Sequence, residues 1–289
     1  MNPYTLPDAD LEALLQDDTP CGDATTHALG IGRRPGRMVL RARYAMTLCG
    51  SEEAARMGLL RGLRVKGPVL PSGSALEAGT PFLTLAGPAD ALHAVWKTAQ
   101  TLVEYLSGIA TCAAELVAAA RRADPDAGVV CTRKNFPGTK RGALKAILCA
   151  GASPHRVSLS ETLLIFAEHR AFLPADESPA ATLARLRRQW PERPVVVEVA
   201  DADAALAWAA AGADILQLEK MPPDAVAALH ARLPAGPGRP RLAAAGGVQP
   251  GNAEAYVRAG ARILVSSAPY FAPPKDVAVT LTPADEPRS

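Results

Sequence analysis

Between Ala127 and Ser160 the chain carries Arg133, Lys134, Lys140, Arg141, Lys145, His155 and Arg156, and no aspartate or glutamate. Arg133 and Lys134 follow directly on the apolar run Val129 to Thr132, where α/β barrels place binding groups, just past a strand end. Arginine offers a planar bidentate fork and lysine a point charge, so the chemistry implied is capture of a phosphate or carboxylate. Lys140, Arg141 and Lys145 follow Pro137-Gly138 at helical spacing and read as the solvated face of a helix. Arg133, Lys134, His155 and Arg156 remain as loop-borne charge, which solvation of a helix face does not explain.

Two carboxylates form a second set. Glu198 closes the run Val195 to Val197, and Glu219 lies just beyond Ile215 to Leu218. On neighbouring strands they could hold ribose hydroxyls or a Mg²⁺ ion, which takes oxygen ligands, or they could pair with the nearby cations. A third set is Gly246 and Gly247 before Gln249-Pro250-Gly251-Asn252, read as a strand that ends in a double glycine and leads into a proline-started helix. Its exposed N–H groups suit an anion, with Ser266 and Ser267 after the next strand as hydroxyl donors; a plain tight turn is the alternative. Gly30 and Gly32 precede a strand rather than open a helix after one, so they make no dinucleotide fingerprint.

These groups need a scaffold, and the composition supplies an ordinary globular one: 289 residues, 48% hydrophobic and 21% charged, enough for two domains. A net charge of +2 excludes a globally basic nucleic-acid or membrane binder. The cysteines at 21, 49, 112, 131 and 149 show no metal-ligand spacing and read as reduced, mostly buried thiols. Neither a basic-then-apolar leader nor a charge-free apolar span stands out, so a cytoplasmic location is expected.

Periodicity predicts a helix near Asp8 to Leu15, a strand over Arg37 to Ala45, a helix near Glu52 to Leu60 and a strand near Pro81 to Ala86. Two helices should follow, Ala89 to Gly108 and Thr111 to Ala123. From Gly128 short apolar runs alternate with alanine-rich helices, the pattern of parallel strands with crossover helices, and a barrel suits it better than an open sheet. Val277 to Leu281 could return as a strand to the first domain. The expected class is therefore α/β: an N-terminal α+β sandwich-like domain over 1–108, joined by the tail 273–289, and an open, incomplete α/β barrel of parallel strands over 109–272.

In order and spacing, Leu106-Ser107-Gly108-Ile109-Ala110-Thr111, Thr132-Arg133-Lys134, Pro137-Gly138, His155-Arg156 and Leu159-Ser160 resemble the quinolinate (nicotinate-nucleotide) phosphoribosyltransferases. The stretch from Cys131 to Phe172 looks closest to the ModD branch, associated with molybdate transport and described as pyrophosphorylases. The resemblance implies a homodimer with shared active sites. It also implies transfer of ribose 5-phosphate from phosphoribosyl pyrophosphate to a small heterocyclic acid with Mg²⁺. Thr132, Arg133, Lys134, His155 and Arg156 match the family's anion-binding stretch and Glu198 one of its acidic residues.

Departures from the family pattern are informative. Lys97 stands where the family has arginine, Phe166 where it has a substrate-facing lysine, and Glu219-Lys220 where it has Asp-Asn. Ala243 replaces a glutamate before Gly246-Gly247, and Ser267 a glycine. Losing the lysine removes a charge partner from a dicarboxylate, which points to an altered acceptor. On this reading Lys134, Glu198 and Glu219 are catalytic, the two glutamates also being the metal candidates. Lys97, Thr132, Arg133, His155, Arg156, Phe166, Gly246, Gly247, Ser266 and Ser267 bind substrate. The alternative from another class is a non-catalytic anion or nucleotide sensor of a molybdate transport system on the same barrel.

Overall fold

The computed structural model describes residues 5–284. In chain order its first part runs α1 (Asp8–Asp18), α2 (Ala24–Ala28), β1 (Pro35–Ala42), β2 (Met46–Thr47), α3 (Ser51–Leu60), β3 (Arg64–Val65), β4 (Ala75–Leu76), β5 (Pro81–Pro88) and α4 (Ala89–Ala123). Then follow β6 (Gly128–Cys131), α5 (Lys140–Cys149), β7 (Ser153–Pro154), β8 (Leu163–Ile165), α6 (Ala167–Arg170), α7 (Pro179–Gln189), β9 (Val195–Val199) and α8 (Ala202–Ala210). The last elements are β10 (Ile215–Glu219), α9 (Pro223–Arg232), β11 (Arg241–Ala245), α10 (Ala253–Arg258), β12 (Ile263–Ser266) and β13 (Val277–Pro283), with one turn of 3-10 helix at Ala268–Phe271. The chain divides into two compact units, one of 1–114, 136–151 and 269–289, the other of 115–135 and 152–268. The segment 136–151 thus groups with the first unit, although the sequence reading ran the barrel through it.

The first unit is built on an antiparallel sheet in the order β13-β1-β5-β3. In β1 Met38, Leu40 and Ala42 alternate with more exposed residues, and the buried set packs with Leu83, Leu85 and helix α3 in one core. The tail does return as a strand: β13 pairs with β1 from Gly36 opposite Pro283 to Ala42 opposite Val277. Residues 285–289 of the expected tail lie outside the described residues.

Where two helices were expected around Gly108, α4 is one helix of 35 residues. Gly108 serves a close approach and not a stop: a Cβ there would run into the Pro273 carbonyl oxygen. A glycine inside a helix costs only about 1 kcal/mol against alanine, and burial of Val95, Ala99, Val103, Leu106, Ala110 and Leu116 overrides it. This helix is long and apolar enough to cross a membrane, but more than half of its most apolar stretch is buried inside the fold.

Lys145 corrects the reading of α5 as a solvated basic face. Its side chain is fully buried, with Nζ 2.9 Å from Glu52 Oε2 and 2.5 Å from Glu53 Oε2, whereas Arg141 is exposed and pairs with Asp10. The helix turns Gly142, Ala143, Ala146 and Ile147 inward, and Lys145 falls on the same side.

The second unit carries seven parallel strands in the order β7-β6-β12-β11-β10-β9-β8. β7 and β8 are its two edges, so the barrel is open between two strands consecutive in the chain. Register stacks inward-facing side chains in layers: Leu164, Val196 and Ile215 below, then Phe166, Glu198, Gln217, Ala243 and Ile263, then Glu219, Ala245 and Val265. The lower layer is apolar filling, and the polar residues enter only toward the C-terminal strand ends.

Candidate functional site

A cavity of about 530 Å³ opens at those C-terminal ends, wholly within the second unit. Among its lining residues are Thr132, Arg133, Lys134, His155, Arg156, Phe166, Glu198, Glu219, Gly246, Gly247, Ser266 and Ser267. Parallel strands all end on the same side of the sheet, so residues as distant in sequence as Thr132 and Ser267 meet there. Lys97 is not among the lining residues. It is exposed on α4, with Nζ 3.2 Å from Gln100 Oε1 and 4.5 Å from the centre of the Trp96 ring.

The basic wall rises from the ends of β6 and β7. Thr132 Oγ1 accepts the Lys134 N–H at 3.2 Å, which shapes the turn that presents Arg133 and Lys134. His155 N–H donates to the Cys131 carbonyl at 2.8 Å and so extends the β6–β7 pairing by one residue. Burial and the neighbouring Arg156 cation hold the His155 imidazole below its ordinary pKa, against a weaker opposing pull from Gln217. His155 is therefore neutral at neutral pH and contributes hydrogen bonding where the sequence reading counted a cation. Arg156 is buried; desolvation and Arg133 depress its pKa, yet a guanidinium stays charged. Its guanidinium lies 5.8 Å from the centre of the Phe166 ring, so aromatic and cation form adjacent surfaces. Phe166 stacks in turn on His169, whose Nδ1 accepts the Phe166 N–H at 3.0 Å.

The acidic pair faces this wall from β9 and β10. Burial pushes the Glu198 carboxyl up; a hydrogen bond from Gln217 counters this, and the charges of Glu219 and Glu168 add to it. Gln217 Nε2 donates to Glu198 Oε2 at 2.7 Å, and Arg170 donates to the Glu198 backbone carbonyl at 2.7 Å. The Glu198 side chain is thus held by an amide. The cation nearest Glu219 is Lys220, at 4.0 Å. Lys220 has a left-handed backbone, φ 55°, and its N–H donates to the Ala245 carbonyl at 2.8 Å.

The glycine loop follows. Gly246 has φ +79°, and a Cβ there would lie 2.6 Å from Lys220 Cγ and 2.9 Å from Glu219 Oε1, so only glycine lets the two strand ends come this close. At Gly247, φ +92°, nothing lies within 4 Å of such a position, and the backbone borders open space. The helix expected to start at Pro250 begins at Ala253 instead. Asn252 Oδ1 accepts the Gln249 N–H, and the Gln249 carbonyl takes the N–H groups of Asn252 and Ala253, so the turn consumes donors that were read as free for an anion. Ser266 is buried and already engaged, donating to the Val248 carbonyl at 2.7 Å and accepting the Ala268 N–H at 3.0 Å. It braces the two loops against each other.

Gln217 escaped the sequence reading. Its signal was there: Ile215, Gln217 and Glu219 occupy alternate positions of one strand, so a polar residue between two inward-facing ones must face inward as well.

The descriptions of two family models match this chain: the quinolinate phosphoribosyl transferase N-terminal domain over residues 23–107 and the C-terminal domain over 109–280. A candidate pyrophosphorylase ModD of Rhodobacter capsulatus is 48% identical over 260 residues, 90% of this chain and 99% of that protein. A "Probable nicotinate-nucleotide pyrophosphorylase (carboxylating)" of Synechocystis sp. is 29% identical, covering 94% of this chain and 91% of that one. Among solved structures, the nicotinate-nucleotide pyrophosphorylase of Francisella tularensis superposes with a TM-score of 0.85 at 20% identity, over 96% of this chain and 98% of that one. NadC from Streptococcus pyogenes superposes with a TM-score of 0.83 at 26% identity, over 96% and 97%.

Proposed function

Because this chain belongs to the quinolinate phosphoribosyltransferase family, we propose that its barrel pocket transfers ribose 5-phosphate from phosphoribosyl pyrophosphate to a small heterocyclic acid. The observation that carries this reading is a cationic wall, Arg133, Lys134 and Arg156, facing the carboxylates of Glu198 and Glu219 across one cavity. A donor that is polyanionic at both ends and bears ribose hydroxyls between them is complementary to that arrangement.

In this reaction the bond from the anomeric carbon to the pyrophosphate oxygen breaks, its electron pair leaving with pyrophosphate. A ring nitrogen of the acceptor then supplies the pair for the new bond. Arg133 and Lys134 stabilise the charge that develops on the leaving group, and the carboxylates face the positive ribose, so catalysis is mostly positioning and electrostatics. Neutral His155 orients the acceptor by hydrogen bonding, while Arg156 supplies its counter-charge. The Gly246-Gly247 loop receives the 5-phosphate.

Among the described residues no three His, Cys, Asp or Glu side chains cluster as a metal cage. The pocket does hold two carboxylates, and Mg²⁺ binds through one or two carboxylates and substrate phosphates. Glu198 and Glu219 would hold it, and the mutual repulsion of their charges would be relieved by a cation. When bound, Mg²⁺ would neutralise charge on the pyrophosphate.

Phe166 beside Arg156 leaves one cation and one aromatic face for the acceptor, which favours a ring bearing a single carboxylate or a less anionic group over a dicarboxylate such as quinolinate. The enzyme works as a cytoplasmic homodimer with shared sites, as the family resemblance implies.

The test is pyrophosphate release from phosphoribosyl pyrophosphate and Mg²⁺ across a panel of pyridine carboxylates and related heterocyclic acids, with mass spectrometry of products. Release coupled to a new ribonucleotide supports the transferase and names its acceptor. Tight donor binding with no release from any acceptor would favour a sensor on the same barrel.

A further inference from the structure

We propose that Gln217 is a positioning residue of this pocket, its carboxamide fixing the Glu198 carboxylate in the orientation that meets the donor's ribose. The inference rests on the function proposed above.

Three observations converge on it. Gln217 is 5% exposed, yet it lies in the pocket wall in the same barrel layer as Glu198 on one side and Ala243 on the other. On the β11 side Ala243 is a buried methyl group with no side-chain polar atom to offer, and the Gln217 amide turns instead to β9. The Gln217 Nε2 bond to Glu198 Oε2, at 2.7 Å, is the hydrogen bond that the Glu198 side chain makes among the described residues, so the carboxylate's orientation is set from β10.

The remaining carboxamide oxygen, Oε1, is buried and makes no close hydrogen bond; the polar group it faces is the His155 imidazole. Burying an amide oxygen with so weak a partner is costly, and a glutamine chosen only to fill an apolar layer would be replaced at less cost by methionine. Flipping the amide would turn Oε1 toward the Glu198 carboxylate and set two acceptors against each other. The rotamer with the donor on Glu198 and the oxygen toward His155 is therefore the one the ionised carboxylate selects.

The experiment uses calorimetric binding of phosphoribosyl pyrophosphate with and without Mg²⁺, and of inorganic pyrophosphate without metal, to the wild type, Gln217→Met, Glu198→Gln and the double variant. Gln217→Met is expected to weaken phosphoribosyl pyrophosphate roughly 10-fold or more, as loss of a hydrogen bond to a charged group implies. Pyrophosphate, which reads the basic wall alone, should change less than about 2-fold on the same reasoning. The double variant should bind no worse than Glu198→Gln, because both substitutions remove one interaction.

Unchanged phosphoribosyl pyrophosphate affinity, parallel loss for both probes, or additive losses in the double variant would each overturn the positioning role while leaving the functional reading intact. A wild-type protein that binds no phosphoribosyl pyrophosphate removes that reading first, and this inference with it. If Gln217→Met does not fold, Gln217→Asn, which withdraws the amide by one methylene, is measured in the same way and must show the same split between probes.

Discussion

Lys145→Met takes one cation out of a site where it meets two carboxylates. The wild-type side chain is fully buried, Glu53 is 1% exposed and Glu52 34% exposed. Glu52 keeps hydrogen bonds from the Ser72 N–H and hydroxyl, whereas Glu53 Oε2 has its ammonium at 2.5 Å and Oε1 a single N–H from Leu6 at 3.1 Å. Methionine fills the volume, so the loss is electrostatic: Glu53 is left as a buried charge short of its counter-ion. Breaking a buried pair in this way costs about 3–5 kcal/mol. For a unit of this size that corresponds to a fall in Tm of roughly 6–20 °C. Differential scanning calorimetry and urea unfolding measure it directly. Lys145→Met with Glu53→Gln should recover most of the loss, since the orphaned charge is gone. A single-variant effect below about 1 kcal/mol, the range of a solvated surface lysine, would refute the argument and restore the reading of α5 as an exposed basic face.

Glu52 ties stability to acid. Burial works to raise its carboxyl, but bonds from Ser72 and Lys145 outweigh it and hold the pKa at about 2, against an ordinary 4.5. Its contribution is therefore fully present above pH 4.5 and is lost as pH falls toward 2, so the stability gap between wild type and Glu52→Gln should narrow across that window in urea titrations. Gly108→Ala adds a helix former yet should destabilise by about 1–3 kcal/mol, because its Cβ would meet the Pro273 carbonyl; a gain in Tm would contradict that contact. Arg133→Ala should abolish phosphoribosyl pyrophosphate binding with Tm unchanged, and retained affinity in calorimetry would take Arg133 out of the site. Phe166→Lys should raise turnover of quinolinate by roughly 10-fold, one charge-assisted contact's worth, and efficient wild-type turnover with no gain in the variant would refute the assignment of Phe166 to acceptor choice.

How much of this was legible in the chain depends on whether the cause was local. Alternation in β1, the apolar runs after Gly128 and the acid-free stretch around Arg133 are short-range patterns, and they announced the parallel strands and the residues that gather in the pocket. A parallel sheet sends every strand's C-terminal end to one side, so strand-end residues converge whatever their separation in sequence. Long-range packing decided the rest. Gly108 reads as a helix stop until the Pro273 carbonyl is placed against it, and Lys145 reads as solvated until Glu52 and Glu53 arrive from a helix some ninety residues earlier. The charge state of His155 depends on burial beside Arg156, and the role of Gln217 on a register that sets it between Glu198 and Ala243. A residue's type and local period determine which way it points; what it meets there is fixed only when distant segments pack, and desolvation and pairing then decide what its charge can do.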